Sequence, residues 1–297
     1  MRVNPNFAYD MVNLINQAQT TENNAAQEVS TGRTVNLPSD NPSSEAAMIA
    51  ENSRLASVDQ YTANSDSLKD ALNTASSTLS SVVSLLQRAV TLGTEGANGT
   101  MNQTDLNSIS AEVSGIKSQV ISLANTSYAG QYLFSGTASS TAPYKVDSTD
   151  TTLVDYAGNS QQNEVQIGTG LSVKANLPGS SIFTQSDSNV FTALQSMVTA
   201  LDNGDATAVG TATNAVSTAL NAISTAQVFY GNTVNELTSN ETFLSEEKVN
   251  ITTYQDTLVA ADTATAATDL TQSNTALTAT IEAAAKISQV SLLDYLK

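Results

Sequence analysis

The sequence contains no histidine, no cysteine and no tryptophan. Without cysteine no disulfide forms, so bridge spacing says nothing about the redox compartment. Without histidine or cysteine the usual zinc ligands are missing, and every catalytic device built on an imidazole or a thiol is excluded. Bases are scarce: 11 Lys and Arg stand against 28 Asp and Glu, a net charge of -17 in 297 residues. Clustered cations are what bind phosphate backbones, so no nucleic-acid partner is expected. The same charge disfavours an anionic membrane surface. No apolar run reaches the ~20 residues that span a bilayer, so no membrane insertion is expected. The opening MRVNPNFAYDMVNLINQ has one Arg but lacks the apolar stretch of a secretory signal. Two locations fit: the cytoplasm, or the outside by an export route without a cleaved signal.

Helix breakers are unevenly spread. The five prolines stand at 5, 38, 42, 143 and 178, and glycine is absent from 33 to 92 and after 231. Helices can run unbroken in those gaps. Apolar residues there keep a four–three rhythm, the seam of a coiled coil. The first segment gives Phe7, Met11, Leu14, Ala18 and Ala25, with Thr21 in one slot. Leu68, Leu72, Ala75, Leu79, Val82, Leu86 and Ala89 form the second, and Leu106, Ile109, Val113, Ile116, Val120 and Leu123 the third. Gly93, Gly96 and Gly99 in GTEGANGT are expected to make the turn between these two. NVFTALQSMVTALDNGD reads as a short helix ending near Gly204. A long run follows through Leu220, Ile223, Tyr230, Val234, Leu237, Leu244, Ile251 and Leu258, then Leu270, Leu277, Ile281, Ala284 and Ile287. At 1.5 Å per residue, 207–292 makes a rod of about 100 Å or more, bent where the stripe weakens around 259–269.

Residues 136–187 alternate apolar and polar positions between turn signals. NEVQIGTGLSVKANLPG reads as a hairpin with GTG joining its strands. The expected fold is mainly α: a long antiparallel helical bundle or coiled-coil rod, with a small inserted β domain and paired N- and C-terminal helices. Its divisions are 1–35 with 262–297, 36–135 with 188–261, and 136–187. If the bundle halves run antiparallel, both chain ends leave it at one end and meet. In YLFSG, Tyr132 and Phe134 alternate to one side of an extended strand and anchor the β unit. Acids such as Glu246, Glu247, Asp256, Asp262 and Asp269 share no pocket with a base or nucleophile, so they read as a solvated face. No enzyme, cofactor or metal site is expected.

The junction TGRTVNLPSDNP breaks the first helix. Gly32 suits a helix C′ position, Pro42 the first turn of the next helix, and Asn41 or Asp40 its cap. Pro38 and Pro42 hold the preceding residues extended, so the segment acts as a semi-rigid spoke. Arg33 and Asp40 are the charges expected to touch the chain's own last helix or a neighbour; a bare spacer is the alternative.

STGRTVNLPSDNP, LQRAVTLGTEGANGT, SLANTSYAGQYLFSGT, VDYAGNSQQNEVQIGTGLSVKANLPGSSIF and DTATAATDLTQSNTALTATIEAAAKISQVSLLDYL stand in that order along nearly the whole chain. Together they resemble the hook–filament junction branch of the flagellin superfamily. The resemblance implies an inner axial coiled coil of 1–35 and 262–297, a surrounding bundle and an outer β knob. It implies a structural role outside the cell, in the flagellum, after export as an unfolded chain. Expected partners are other copies of the chain in a ring, the other hook–filament junction protein, flagellin, an export chaperone and the flagellar export apparatus. The terminal seam, with Leu292, Leu293, Tyr295 and Leu296 closing the chain, is expected to order on assembly. Alternatives are flagellin itself, or a glycan- or cation-binding module in 136–187.

Overall fold

The computed structural model describes residues 7–147, 150 and 152–295, with the backbone alone for 7, 8 and 287–295. Leu296 and the side chains of Phe7, Leu292, Leu293 and Tyr295 therefore lie outside the described residues. In chain order the elements are α1 (Phe7–Thr31), α2 (Pro42–Gly96) and α3 (Gln103–Ala124), followed by β1 (Ser127–Tyr128), β2 (Gln131–Tyr132), β3 (Tyr144–Val146), β4 (Val154–Tyr156), β5 (Glu164–Gly168) and β6 (Leu171–Lys174). The chain then closes with α4 (Gly179–Ile182), α5 (Val190–Asp202), α6 (Ala206–Val259) and α7 (Thr263–Tyr295). The fold is mainly helical, as its breaker distribution requires.

Five helices begin on Asn or Asp. The side chains of Asn41, Asn102, Asn189, Asp205 and Asp262 each accept from amides two or three residues on. This is the preferred chemistry for the orphan donors of a first turn.

The chain divides into two compact units, residues up to Ser57 with those from Glu246 onward, and Val58–Ser245. In the second unit Leu72, Leu79, Leu86, Val113, Val120, Leu194, Val216, Ile223 and Leu237 are almost wholly buried in one core. Each such side chain contributes about 1.5–3 kcal/mol relative to exposure. Lys69 and Glu241 meet at 2.7 Å across α2 and α6. The helix α2 runs on through Gly93 to Gly96, so the turn falls later than the glycines suggest, at 97–102. The reason is close approach: a Cβ on Gly93 would overlap Thr213 and stand 2.8 Å from Met197, and one on Gly96 would stand 2.5 Å from Leu201.

The β segment forms three separate antiparallel hairpins, β1–β2, β3–β4 and β5–β6. They share the helical core: Phe134, Tyr144, Ile167 and Phe183 belong to the same buried cluster as the leucines of α2. The last hairpin is pinned by one amide from each flanking helix. Asn64 Nδ2 donates to Gln166 O at 2.9 Å and Asn240 Nδ2 to Ile167 O at 2.8 Å.

In the other unit α1 packs against α7. The backbones of Arg33 and Ala260 form an antiparallel bridge, which sets the end of α1 beside the start of α7 and makes the two helices antiparallel. The long rod expected over 207–292 is interrupted at 260–262, with neither Gly nor Pro to mark the break.

Candidate assembly interface

The spoke is built by its own hydrogen bonds. Gly32 takes φ +68° at the end of α1, and its amide donates to Glu28 O at 2.9 Å. Thr34 N donates to Val259 O at 2.7 Å, and Ala261 N to Gly32 O at 2.9 Å, one on each side of the Arg33–Ala260 bridge. Asp262 then caps α7 by accepting from Ala264 N at 2.9 Å. Asp40 turns inward: one carboxylate oxygen accepts from Asn36 N at 3.1 Å and Leu37 N at 2.8 Å. It closes its own loop because two free amides lie within four residues of it. The cap of α2 is Asn41, which accepts from Ser44 N at 3.2 Å, and Pro42 is the first helical residue. Pro38 is exposed, whereas Val35 is buried. Arg33 makes its only contacts through its backbone among those described, and its side chain is exposed.

The α1–α7 seam lies one residue away from the expected stripe at three places, with Ile15, Glu22 and Thr280 covered where Leu14, Thr21 and Ile281 are expected. On α1 the covered positions are Met11, Ile15, Ala18, Glu22, Ala25 and Glu28; on α7 they are Ala266, Leu270, Ser273, Leu277, Thr280 and Ala284. Leu14 is 53% exposed and Ile281 48% exposed, each flanking the seam beside the residue that occupies it. Leu14 and Ile15 are both apolar, so a four–three rhythm alone leaves the register open by one position. Among the described residues, Ala25, Ala266 and Ser273 are the fully buried ones in this seam. Small and polar residues bury little apolar area, so pairing is weakly driven. Tyr9 is 74% and Val12 55% exposed on α1.

The structure separates Tyr132 from Phe134. Tyr132 pairs with Ser127 in the β1–β2 hairpin and is half-buried. Phe134 is fully buried, edge-on to Phe183 at 5.3 Å, and its carbonyl accepts from Gly179 N at 2.7 Å. Phe134 thereby ties the β segment to α4 and, through Phe183 and Tyr144, to Phe191 of α5. Their equal sequence spacing gave no sign of this difference.

The acids have ordinary structural roles. Glu247 meets Arg54 at 3.3 Å, Asp262 caps a helix, and Asp256 lines a small cavity at the spoke. No group of three or more acids is placed to hold a metal ion, and no helix is long and apolar enough to cross a membrane, among the described residues.

Paired terminal helices and a helical middle with small hairpins inserted between its halves define a mainly helical protein of two compact units. The bacterial flagellin N-terminal helical region matches residues 3–139, and the bacterial flagellin C-terminal helical region matches residues 213–296. Flagellar hook-associated protein 3 of Escherichia coli K12 is 25% identical over 295 residues, covering 91% of this chain and 92% of that protein. Among solved structures, a flagellar hook-associated protein from Vibrio parahaemolyticus has a TM-score of 0.68 at 22% identity, covering 74% of this chain and 99% of that one. The flagellar junction protein FlgL from Legionella pneumophila has a TM-score of 0.60 at 15% identity, covering 72% of this chain and 100% of that one. The chain belongs to the bacterial flagellin family.

Proposed function

We infer that this chain is a structural subunit of the flagellum that joins hook to filament. The observation that carries this reading is the pairing of the two chain ends. α1 and α7 close on each other through a lean seam and leave Tyr9, Val12, Leu14 and Ile281 in solvent. A pair of helices with unspent apolar surface suits an element completed by neighbours. The end-to-end likeness to a hook-associated protein supports the same reading.

In this reading the terminal pair forms the inner layer, the helical bundle the next, and residues 136–187 the outer surface. Copies of the chain form a ring between the other junction protein and flagellin. The subunit reaches this place outside the cell through the flagellar export apparatus, escorted by a chaperone. It performs no catalysis.

Cells lacking this chain, imaged for flagella, test the proposal. The expected result is bare hooks, with flagellin shed into the medium. Normal filaments on the deletion strain would overturn it. Labelled copies along the whole filament, rather than at its base, would make the chain flagellin instead.

A further inference from the structure

Where α1, α2 and α6 meet, a cavity of about 420 Å³ is lined by Gly32, Arg33, Met48, Gln255, Asp256 and Val259, among others. Arg33 stands on a fixed backbone there. It is bridged to Ala260, and its carbonyl accepts from Asn36 Nδ2 at 2.9 Å. Its guanidinium is exposed, and no carboxylate lies within ion-pair reach of it among the described residues. Asp256 shares the cavity without closing on it.

Another arginine of this unit shows what such a group does when satisfied. Arg54 lies between two carboxylates, 3.0 Å from Glu51 and 3.3 Å from Glu247. A guanidinium is a planar fork of five donors, well suited to hold two acids at once.

We propose that Arg33 receives a carboxylate from a second copy of this chain in that cavity, beside Asp256. This rests on the reading of the chain as an assembling flagellar subunit. Charge selects the occupant. Each copy carries -17 from 28 acids and 11 bases, so carboxylates are in excess and fixed, solvent-open cations are scarce. Two such copies repel within a screening length of about 8 Å at physiological salt, and a contact between them is favoured where a cation meets a carboxylate.

The test places Arg33→Glu, Arg33→Ala and Arg33→Lys, each in the full-length chain, in cells lacking the native copy. Purified variants are melted alongside as a check on folding. The expected result is an unchanged melting transition and an about tenfold lower fraction of hooks bearing filaments for Arg33→Glu, the loss of one good contact. Arg33→Lys keeps part of the activity. Suppressors of Arg33→Glu turn an Asp or Glu of the same chain into Lys or Arg. If Arg33→Glu melts early, Arg33→Ala decides, because it removes the charge and leaves the backbone bridge alone. Wild-type assembly by Arg33→Ala overturns the proposal even while the deletion strain stays bare, which leaves the proposed function standing. Suppressors confined to a different flagellar protein overturn the choice of a second copy. Normal filaments on the deletion strain remove the underlying reading and this one with it.

Discussion

Arg33 and Ala260 lie side by side in an antiparallel bridge, 227 positions apart in a chain whose first helix ends at one and whose last begins just after the other. That bridge sets the end of α1 beside the start of α7, at a joint where Val35 and Val259 are also buried. Its neighbours Gly32 and Asp262 supply the turn and the cap that let both helices stop there.

Replacing these neighbours tests the joint. Gly32 holds φ +68°, and its missing Cβ has open space around it, so Gly32→Ala meets backbone strain and no clash. It should cost about 1 kcal/mol, and Asp262→Ala about 0.5–2 kcal/mol through the lost cap. Denaturant unfolding of the purified chain reads both. No change for either variant would mean that the joint contributes nothing to stability.

Gly93 and Gly115 make a matched pair inside helices. Gly93→Ala should destabilise by about 1–3 kcal/mol, because its Cβ overlaps Thr213 and crowds Met197. Gly115→Ala meets open space and should stabilise by about 0.5–1 kcal/mol, since Gly is the poorer helix former. Equal effects at the two sites would remove the close-approach account of the α2 glycines.

Lys117 is a buried cation without a buried acid. Its ammonium donates to Thr152 O at 2.8 Å and Gln195 Oε1 at 2.7 Å, and the residue is 6% exposed. Burial pushes its pKa below the usual lysine range, opposed by Asp150. Gln195→Leu strips one of the ammonium's partners and should cost about 1–3 kcal/mol. Lys117→Met should be near neutral, because both acceptors border an open cavity of about 470 Å³ where water can replace the ammonium. A base with a lowered folded pKa binds fewer protons folded than unfolded, so its burial penalty is full below that pKa and fades as pH rises toward the ordinary value of ~10.4. The native chain should therefore gain stability relative to Lys117→Met as pH rises toward about 10. A constant difference across that range would contradict the burial account.

Arg88 and Glu112 link α2 and α3 in a fork of two bonds, 2.7 and 3.1 Å. The hydrogen bond from Arg88 holds the Glu112 carboxyl below the usual carboxylate range. A depressed carboxylate adds stability above its unfolded value of ~4.3 and loses it as pH falls through the folded value. In Arg88→Met, NMR titration should show Glu112 returning to the ordinary range. An unmoved titration would show that the pair is too solvated to couple.

Much of the architecture was legible in the residue pattern, and its failures have physical causes. The helical gaps, the β5–β6 hairpin and the Gly32–Pro42 break follow from glycine, proline and Asx chemistry, which acts locally. The break at 260–262 carries no such residue; it falls within the weak stripe of 259–269 where a bend is expected, with Asp262 ahead of the next helical run and the Arg33 bridge at its start. Gly93 read as a turn because close helix packing and chain reversal both select glycine. The pattern picks Leu14, Thr21 and Ile281 where the seam uses Ile15, Glu22 and Thr280, because register depends on the partner helix. Nothing in the spacing of Tyr132 and Phe134 told which of them enters the core.

Hydrogen exchange, followed by peptide in the free chain and again in isolated flagella, tests the central claim most directly. The lean α1–α7 seam predicts fast exchange over residues 7–31 and 263–286 in the free chain, slow exchange over 68–92, and a large gain of protection at both ends on assembly. Ends protected as strongly as 68–92 in the free chain, with no gain in flagella, would contradict the account of the paired ends as the element that assembly completes.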